Sequence, residues 1–477
     1  MTGNYYPWFK KIINVCIYLF FVCAFVSTFF VFGSVFNGIK KYIIVSLLAI
    51  IYTALFLLFK KKIKIIINKC ISKLEKVSFK KLLIVIIISS IVLKVVYMIF
   101  FYFDSTKFGG DITIYSNLAD EISKNGISSV KNNIYYLVGF ATHLSVFHNL
   151  GIPYHYVTYL AMLLGTIINY FSFSYLIGKE KSFILTMMYI IMPSTCMLSF
   201  CITHELFVYL YFSIILFLLS KFFISNNKLS LIYGVLLLLF ISLNQTVSPI
   251  GKIWYIVLFL LVALSNIKID KKIILCIVLV GSMILTNFFT TRLEGNNISQ
   301  TNNYEQLLIG CNYESMGRHT DGRGKQAAKK YWESKGIELT QDNLIEGEKN
   351  ALIEEYKYLL THPIKLCVLL ANKFYTVWSG DYYSIEYGHA CSGVSQLGYY
   401  CMLVISALIW LFMMTIGIVY YDNKVDNICI LNYKLIVLGI MSVLLIVEVT
   451  NKYSCYMTLF IYFVAFTISK FKGEENV

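Results

Sequence analysis

Residues 82–103 read LLIVIIISSIVLKVVYMIFFYF, an almost unbroken apolar run. A bilayer core of about 30 Å is crossed by about 20 apolar residues in a helix. Comparable runs occupy residues 273–289 and 399–421. The sequence therefore predicts an all-α polytopic membrane protein.

Composition supports the same class. The chain has 477 residues, of which 58% are hydrophobic and 14% charged, whereas soluble proteins average about 45–50% apolar. A soluble globular enzyme is therefore excluded. The formal charge of +15 could indicate a nucleic-acid partner, but the lysines lie between apolar blocks, where charge sets membrane orientation. We therefore interpret the lysines as residues that set the orientation of the chain in the membrane, and we predict no nucleic-acid partner.

Hydropathy along the chain predicts about twelve spans. The densest short basic segment, from Lys60 to Lys81, is expected to face the cytoplasm, which puts both termini inside a bacterial cytoplasmic membrane. The predicted spans begin near Ile12, Tyr42, Leu82, His155, Ser182, Leu206, Leu229, Ile253, Ile273, Gln396, Asn427 and Tyr453.

This topology divides the chain into four parts. Residues 1–80 hold two N-terminal spans and the basic cytoplasmic loop, and residues 81–289 form a membrane core with a first external loop at 104–154. Residues 290–394 form a second external loop, and residues 395–477 hold the C-terminal spans. The second loop has mixed charge and helix-compatible stretches, so we expect a small folded region there.

The 12 cysteines show no CxxC pair and no Cys/His metal spacing. Cys311, Cys367 and Cys391 lie in predicted external sequence, where a disulfide is an option. Unpaired small hydrophobes are the favoured interpretation.

Asp111 follows Gly109 and Gly110 in the first external loop. The apolar positions Ile114, Leu118 and Ile122 then recur at helical spacing, which predicts a helix with Asp111 at its N-cap. The aspartate is either such a cap or a general base held at the membrane face.

Two more acids stand at predicted external boundaries. Glu205 follows Thr203 and His204 between two predicted spans, and an acid there usually faces a polar cavity. Residues 448–453, with Glu448 and Lys452, interrupt two apolar blocks, either as an ordinary short loop or as a contact to a charged head group.

The chain has only three arginines, Arg292, Arg318 and Arg323, all in the second external loop. Arginine is suited to bidentate phosphate contact, although this loop is also the only large polar region in which arginine would collect by chance.

These residues resemble a known family. Asp111, Tyr115 and Ala119 match the Asp-x-x-x-Tyr-x-x-x-Ala pattern in the first external loop of GT-C-fold glycosyltransferases of the protein O-mannosyltransferase and aminoarabinose transferase type, glycosyltransferase family 39 and its bacterial relatives. Four further segments are similar to family segments, in order: residues 131–134, Pro193 followed by Glu205, residues 310–321, and residues 448–453.

The match has departures. Glu205 stands where Asp is usual, Lys452 where Arg is usual, and the prolines common after the first motif are missing near Lys131. No match covers the first two predicted spans.

The resemblance implies a GT-C-like helix bundle and transfer of a sugar, with inversion, from a polyprenyl-phosphate donor to an extracytoplasmic acceptor. It implies Asp111 as base, Glu205 orienting the acceptor or assisting, and a possible separate enzyme that makes the donor. Some relatives use a divalent metal, for which Asp104, Asp111 and Glu205 are available. The candidates for the phosphate or the substrate are Lys131, Arg318, Lys452, Tyr115, Arg323, Glu448 and Tyr453.

Two alternatives stay open. An envelope polysaccharide polymerase or ligase would rely on external arginine and histidine. A lipid or sugar transporter would bury charges within spans and break helices at the midplane. The sequence shows no paired discontinuous helices, and Lys94, the main charge within a span, is expected to snorkel. The sequence identifies neither the sugar nor the acceptor.

Overall fold

A computed structural model gives the fold. It describes residues 4–33, 39–101, 111–130, 135–294, 303–318, 322–340, 342–378, 393–421, 427–447, 455–467 and 469. These residues are mostly helical, and the only strand-like features among them are two isolated β-bridges. The prediction of an all-α protein is confirmed.

The helices are numbered in chain order. The first ten are α1 (Pro7–Gly33), α2 (Ile39–Glu75), α3 (Phe79–Phe101), α4 (Asp111–Asn125), α5 (Tyr135–His148), α6 (Tyr154–Ile177), α7 (Lys179–Ile191), α8 (Pro193–Leu198), α9 (Glu205–Ile224) and α10 (Asn227–Val247). The others are α11 (Ile253–Leu264), α12 (Ile269–Glu294), α13 (Asn303–Cys311), α14 (Arg323–Ser334), α15 (Leu344–Thr361), α16 (Pro363–Trp378), α17 (Gln396–Val419), α18 (Ile428–Ile446) and α19 (Thr458–Thr467). Short 3₁₀ turns occupy Ile127–Val130 and Pro249–Lys252.

Within the described residues, eight helices are long and apolar enough to cross a membrane: α1, α3, α6, α9, α10, α12, α17 and α18. Each coincides with a predicted span. The other four predicted spans coincide with α2, with the pair α7 and α8, and with the shorter helices α11 and α19. The chain is thus an α-helical protein with several potential membrane spans, and the number twelve stays a prediction.

The basic segment predicted as a cytoplasmic loop is helical over most of its length. Helix α2 continues through Lys60 and ends at Glu75. Lysine and isoleucine alternate there without a glycine or proline that would end the helix. The carbonyl of Lys60 accepts a hydrogen bond from the Tyr420 hydroxyl, which ties α2 to the end of α17.

The predicted span near Ser182 is interrupted. Helix α7 ends at Ile191, Met192 has extended dihedral angles, and Pro193 is the first residue of α8. A proline lacks the N–H that would continue a helix and pushes the preceding residue out of the helical region. This broken helix pair differs from the single continuous span that hydropathy predicts.

One large apolar cluster joins most of the long helices, and Trp254, Trp410 and Tyr433 are fully buried in it. Close backbone approach matters at Gly139 of α5, where an added Cβ would lie 2.0 Å from the carbonyl oxygen of Thr246 on α10. Only glycine therefore permits this packing of α5 on α10.

Several described segments meet at one end of the bundle. The amide of Tyr6 donates to the carbonyl of Leu264 at the end of α11, at 3.1 Å. Tyr421, just after α17, forms a bridge with Ser469. This is the end at which Lys60 lies, which fits the predicted common side for these segments, while the membrane side itself stays a prediction.

Helices α13 to α16 form a second, separate apolar cluster, which we call the helical unit, residues 303–378. Leu308, Leu359 and Leu369 are buried in it. The helix-compatible stretches 325–332 and 343–360 lie within α14 and α15, apart from Asn343, which precedes α15. The expected small folded region between the spans is therefore present as a helical structure.

Candidate functional site

Helix α4 carries the first half of the candidate site. It begins at Asp111, as the pattern predicts, and two of the three recurring apolar positions, Leu118 and Ile122, are buried. Ile114 is 44% exposed, whereas Ile112 and Tyr115 are each only 2% exposed. The helix packs chiefly on α5, and this contact, which the sequence does not reveal, selects the face that includes Tyr115. Tyr115 lies one turn after Asp111.

A buried polar group joins α4 to the start of α9; we call it the His204 cluster, residues Tyr115, Thr203, His204 and Glu205. The Tyr115 hydroxyl and His204 Nδ1 share a hydrogen bond of 2.8 Å. His204 Nδ1 lies 3.4 Å from Glu205 Oε2, and the Thr203 hydroxyl donates to the same carboxylate oxygen. The side chains of His204 and Glu205 are 12% and 2% exposed.

The fold explains how a buried acidic side chain is tolerated at position 205. Glu205 is the first residue of α9, where the positive end of the helix dipole favours a carboxylate. A buried charge also requires hydrogen-bonding partners, and Thr203 and His204 are nearby. Glu205 is thus buried beside Thr203 and His204, and Tyr115 joins this group through His204, while the polar cavity stays a prediction.

Lys94 stabilises the segment between α8 and α9 through two contacts. Its Nζ donates to the carbonyl of Ser199 at 2.6 Å and lies 3.6 Å from the centroid of the Phe200 ring. Lys94 is 4% exposed, so it does not snorkel as expected. The non-helical backbone after α8 needs a donor inside the protein, and the lysine supplies it.

The end of α10 adds a second polar patch. Asn244 and Gln245 are 0% and 1% exposed, and neither side-chain amide has a hydrogen-bond partner in the described part of the chain. Both face Gly251, where an added Cβ would lie 2.7 Å from Asn244 Nδ2. Buried amides are normally paired, so these two are an exception among the polar side chains of the described residues.

Helix α5 lies between these two polar patches. Gly139 touches α10 at Thr246, while the next residue, Phe140, packs edge-on against Tyr115 with ring centroids 4.8 Å apart. His143 shares a hydrogen bond of 2.7 Å with Tyr211 of α9. Burial lowers the pKa of His143, so its imidazole is neutral and serves to fasten α5.

The motif around residues 310–318 is a tight turn after α13. Asn312 Oδ1 accepts from the amide of Glu314 at 3.0 Å. Met316 and Gly317 both have positive φ angles, 54° and 73°. For Met316 such a backbone is costly and persists only where the surroundings enforce it. The predicted motif is therefore a defined structural feature, with Arg318 exposed at its end.

Lys373 fixes this turn. It is 1% exposed, and its Nζ donates to the carbonyl of Gly310 at 2.9 Å. Burial lowers its pKa to about 8. An added Cβ at Gly310 would lie 2.4 Å from the carbonyl oxygen of Ile446, so the turn also packs against the end of α18. Residues 448–453 follow directly in the chain.

The two candidate arginines differ in setting. Arg323 donates to Glu355 at 2.7 Å and joins α14 to α15, so it belongs to the helical unit. Arg318 lies close enough to Tyr375 to offset part of the rise in the pKa of Tyr375 that burial causes. Both were predicted as candidates for binding the phosphate or the substrate, and Arg323 is engaged in an internal ion pair.

Several predicted residues lie outside the described part of the chain. They are Asp104, Lys131, Glu448, Lys452, Tyr453 and Cys391, and for Asp111 the backbone is described but not the side chain. Within the described residues, no group of three His, Cys, Asp or Glu side chains could hold a metal ion. The metal option at Asp104, Asp111 and Glu205 therefore stays a prediction. Cys311 and Cys367 are free thiols.

Comparison of the chain with protein-family models, curated proteins and solved structures finds no match. The fold and site thus define a helical protein with several potential membrane spans and a buried polar cluster around Glu205. Sequence reasoning missed His204, Lys94, Lys373 and the amides of Asn244 and Gln245. Polar residues within apolar runs were the available sign, but their partners come from distant segments.

Proposed function

We propose that the protein is a glycosyltransferase that moves a sugar, with inversion, from a polyprenyl phosphate to an acceptor outside the cytoplasm. The observation that carries the proposal is the contact between Tyr115 and His204, which are 89 positions apart. It brings together the Asp-x-x-x-Tyr segment and the acidic segment at Glu205, two of the motifs on which the resemblance depends. The sugar and acceptor are left open.

In the proposed reaction, the acceptor hydroxyl loses its proton to the carboxylate of Asp111. The acceptor oxygen bonds to the anomeric carbon from the side opposite the phosphate. The bond between that carbon and the phosphate oxygen breaks, and its electron pair leaves with the polyprenyl phosphate. A positioned base contributes about 10²–10⁴-fold to such a step. Glu205, which His204 and Thr203 hold in place, would orient the acceptor.

The leaving phosphate requires cations. Arg318 is exposed at the turn that Lys373 fixes, and Lys131 and Lys452 are the other candidates. Positive groups aimed at the leaving oxygen stabilise the charge that develops there. A long polyprenyl chain would remain in the bilayer beside the apolar helices.

The amides of Asn244 and Gln245 suit the substrate class. Each offers donors and an acceptor, as needed by vicinal hydroxyl groups, and none of these atoms has a partner in the part of the chain described. We propose that they hold a sugar hydroxyl, directly or through water, once α5 moves to admit the substrate.

The test is transfer from radiolabelled polyprenyl-phosphate sugars to membrane extracts by the purified chain. Asp111→Asn should lower transfer by about 1,000-fold, because the base is lost. Glu121→Gln, on an exposed position of the same helix, is the matched control and should keep wild-type activity. Equal loss in both variants, or full activity in Asp111→Asn, would contradict the proposed role of Asp111.

A specific observation also favours a second candidate, a transporter for lipid-linked or sugar substrates. Lys94 is buried within a candidate span, and α7 and α8 form a broken helix pair around Pro193. Both features are typical of transporter substrate paths. Movement of a labelled polyprenyl phosphate across vesicles containing the protein, without sugar transfer, would support this candidate over the transferase.

A further inference from the structure

A groove runs along the first half of α1, at the end of the bundle where Leu264 and Ser469 lie. Its volume is about 460 Å³. None of its lining residues belongs to the His204 cluster. The lining residues are Pro7, Lys10, Lys11, Asn14, Val15, Tyr18, Leu19 and Tyr421.

The groove is polar and cationic at one end and apolar at the other. Lys10 and Lys11 lie at the start of α1, and Lys11 is exposed and makes no ion pair with the described residues. One and two turns further along, Val15 and Leu19 are 50% and 54% exposed. An amphiphile with an anionic head and an apolar chain matches this order of groups.

The wall of the groove is firmly built. The rings of Tyr18 and Tyr421 meet edge to face with centroids 5.2 Å apart. Behind them, the fully buried Lys434 donates from Nζ to Asn14 Oδ1 at 2.8 Å. This hydrogen bond holds Asn14, at the polar end of the groove, against α18.

Aromatic side chains set the depth of this end in the membrane. Tyr6 and Trp8 are 42% and 56% exposed just before the two lysines. Exposed Tyr and Trp are characteristic of the head-group level of a bilayer, and lysines beside them attract anionic lipid heads. The polar end of the groove thus lies at the depth of lipid phosphates, with Val15 and Leu19 at the depth of acyl chains.

We propose that this groove binds one anionic phospholipid, whose phosphate contacts Lys10 and Lys11 and whose acyl chain lies along Val15 and Leu19. The lipid joins α1 to the end of α17 and so stabilises the fold at this end. This site is independent of the proposed transferase activity.

The test measures lipid binding by native mass spectrometry and thermal unfolding of the full chain. The chain is purified in neutral detergent and mixed with phosphatidylglycerol or with phosphatidylcholine. We expect phosphatidylglycerol to raise the unfolding temperature more than phosphatidylcholine does. The double variant Lys10→Gln with Lys11→Gln should bind phosphatidylglycerol about 30-fold more weakly, since each lysine near an anionic surface contributes about 1 kcal/mol.

The matched control replaces Lys80 and Lys81 by Gln. These two lysines are adjacent and exposed at the start of α3, and they line no part of the groove, so binding should be unchanged. Val15→Trp keeps both groove lysines and fills the apolar end, and it should also weaken binding. Unfolding in phosphatidylcholine verifies that each variant is folded.

Three results would overturn the proposal. If the groove lysine variant and the control lysine variant bound phosphatidylglycerol equally weakly, the effect would be one of overall charge. If neither the groove lysine variant nor Val15→Trp bound it more weakly than wild type, the groove would not be the site. The same thermal shift with inorganic phosphate alone would mean a free-anion site, because no acyl chain would then be required.

Discussion

In the helical unit, Arg323 donates to Glu355 and Lys373 donates to the carbonyl of Gly310. At the end of α10, by contrast, Asn244 and Gln245 are buried without partners in the described residues. Polar groups in the helical unit mainly fasten one helix to another. Burying two amides without hydrogen-bond partners is costly. The proposed function assigns the two amides to substrate binding and the bonds of the helical unit to stability.

The largest expected effect concerns the proposed substrate-binding role of Glu205. Glu205→Gln removes the charge that would orient the acceptor, so we expect sugar transfer to fall by about 1,000-fold, about 4 kcal/mol in barrier height. The unfolding temperature should change little, because Gln fills the same volume at the start of α9. Activity and thermal unfolding are measured on the same preparation. A large drop in unfolding temperature would instead make Glu205 a structural residue.

The second prediction concerns the stability of the helical unit. Lys373→Ala leaves the Gly310 carbonyl buried without its donor and opens a cavity, which should cost about 3 kcal/mol in the helical unit. Hydrogen exchange of the amides in α13 and α16 should accelerate accordingly. Lys357→Ala, at an exposed position of α15, is the control and should leave exchange unchanged. If these amides exchanged as slowly in the Lys373 variant as in wild type, Lys373 would not stabilise the turn at Gly310.

Glu348 is a buried residue of the helical unit whose Oε2 atom has no hydrogen-bond partner within the described residues. Burial, and then the charge of Glu305, raise its pKa from 4.5 to about 7. The folded chain therefore keeps this proton between about pH 4.5 and 7 while the unfolded chain loses it, so its stability declines as pH rises through that window. Glu348→Gln stays neutral and should gain about 2 kcal/mol over wild type above pH 7.

That gain should vanish near pH 4.5, where both side chains are neutral. Hydrogen exchange of α15 at pH 5 and pH 8 measures it, with Glu346→Gln, exposed on the same helix, as control. A constant difference between wild type and the Glu348 variant at both pH values would contradict the pKa argument.

The smallest effect concerns the partly exposed ion pair. Arg323→Gln should cost about 1 kcal/mol or less, because the two side chains are 18% and 29% exposed and solvent weakens their attraction. A double-mutant cycle with Glu355→Gln isolates the pair energy, and sugar transfer should be retained. Loss of transfer without loss of stability would return Arg323 to the phosphate-binding residues.

The sequence anticipated those features that depend on neighbours in the chain. Glycines before Asp111 and the apolar residues after it predicted the start of α4, and mixed charge with helix-forming residues predicted α14 and α15. It failed where a distant segment decides. Of the three apolar positions that recur along α4, Leu118 and Ile122 are buried but Ile114 is exposed, because contact with α5 selects which side of the helix is covered. The expectation that Lys94 snorkels was wrong, because the Ser199 carbonyl lies close enough to accept its hydrogen bond.

The sequence by itself determined that the chain is helical and apolar enough to cross a membrane several times, because length and hydrophobicity are properties of each segment alone. Only the tertiary structure decided that Tyr115 meets His204, that Lys373 fixes the turn at Gly310, and that Asn244 and Gln245 are buried without partners among the described residues. Hydrogen bonding and burial of these groups depend on contacts between segments far apart in the chain, and helix packing sets those contacts.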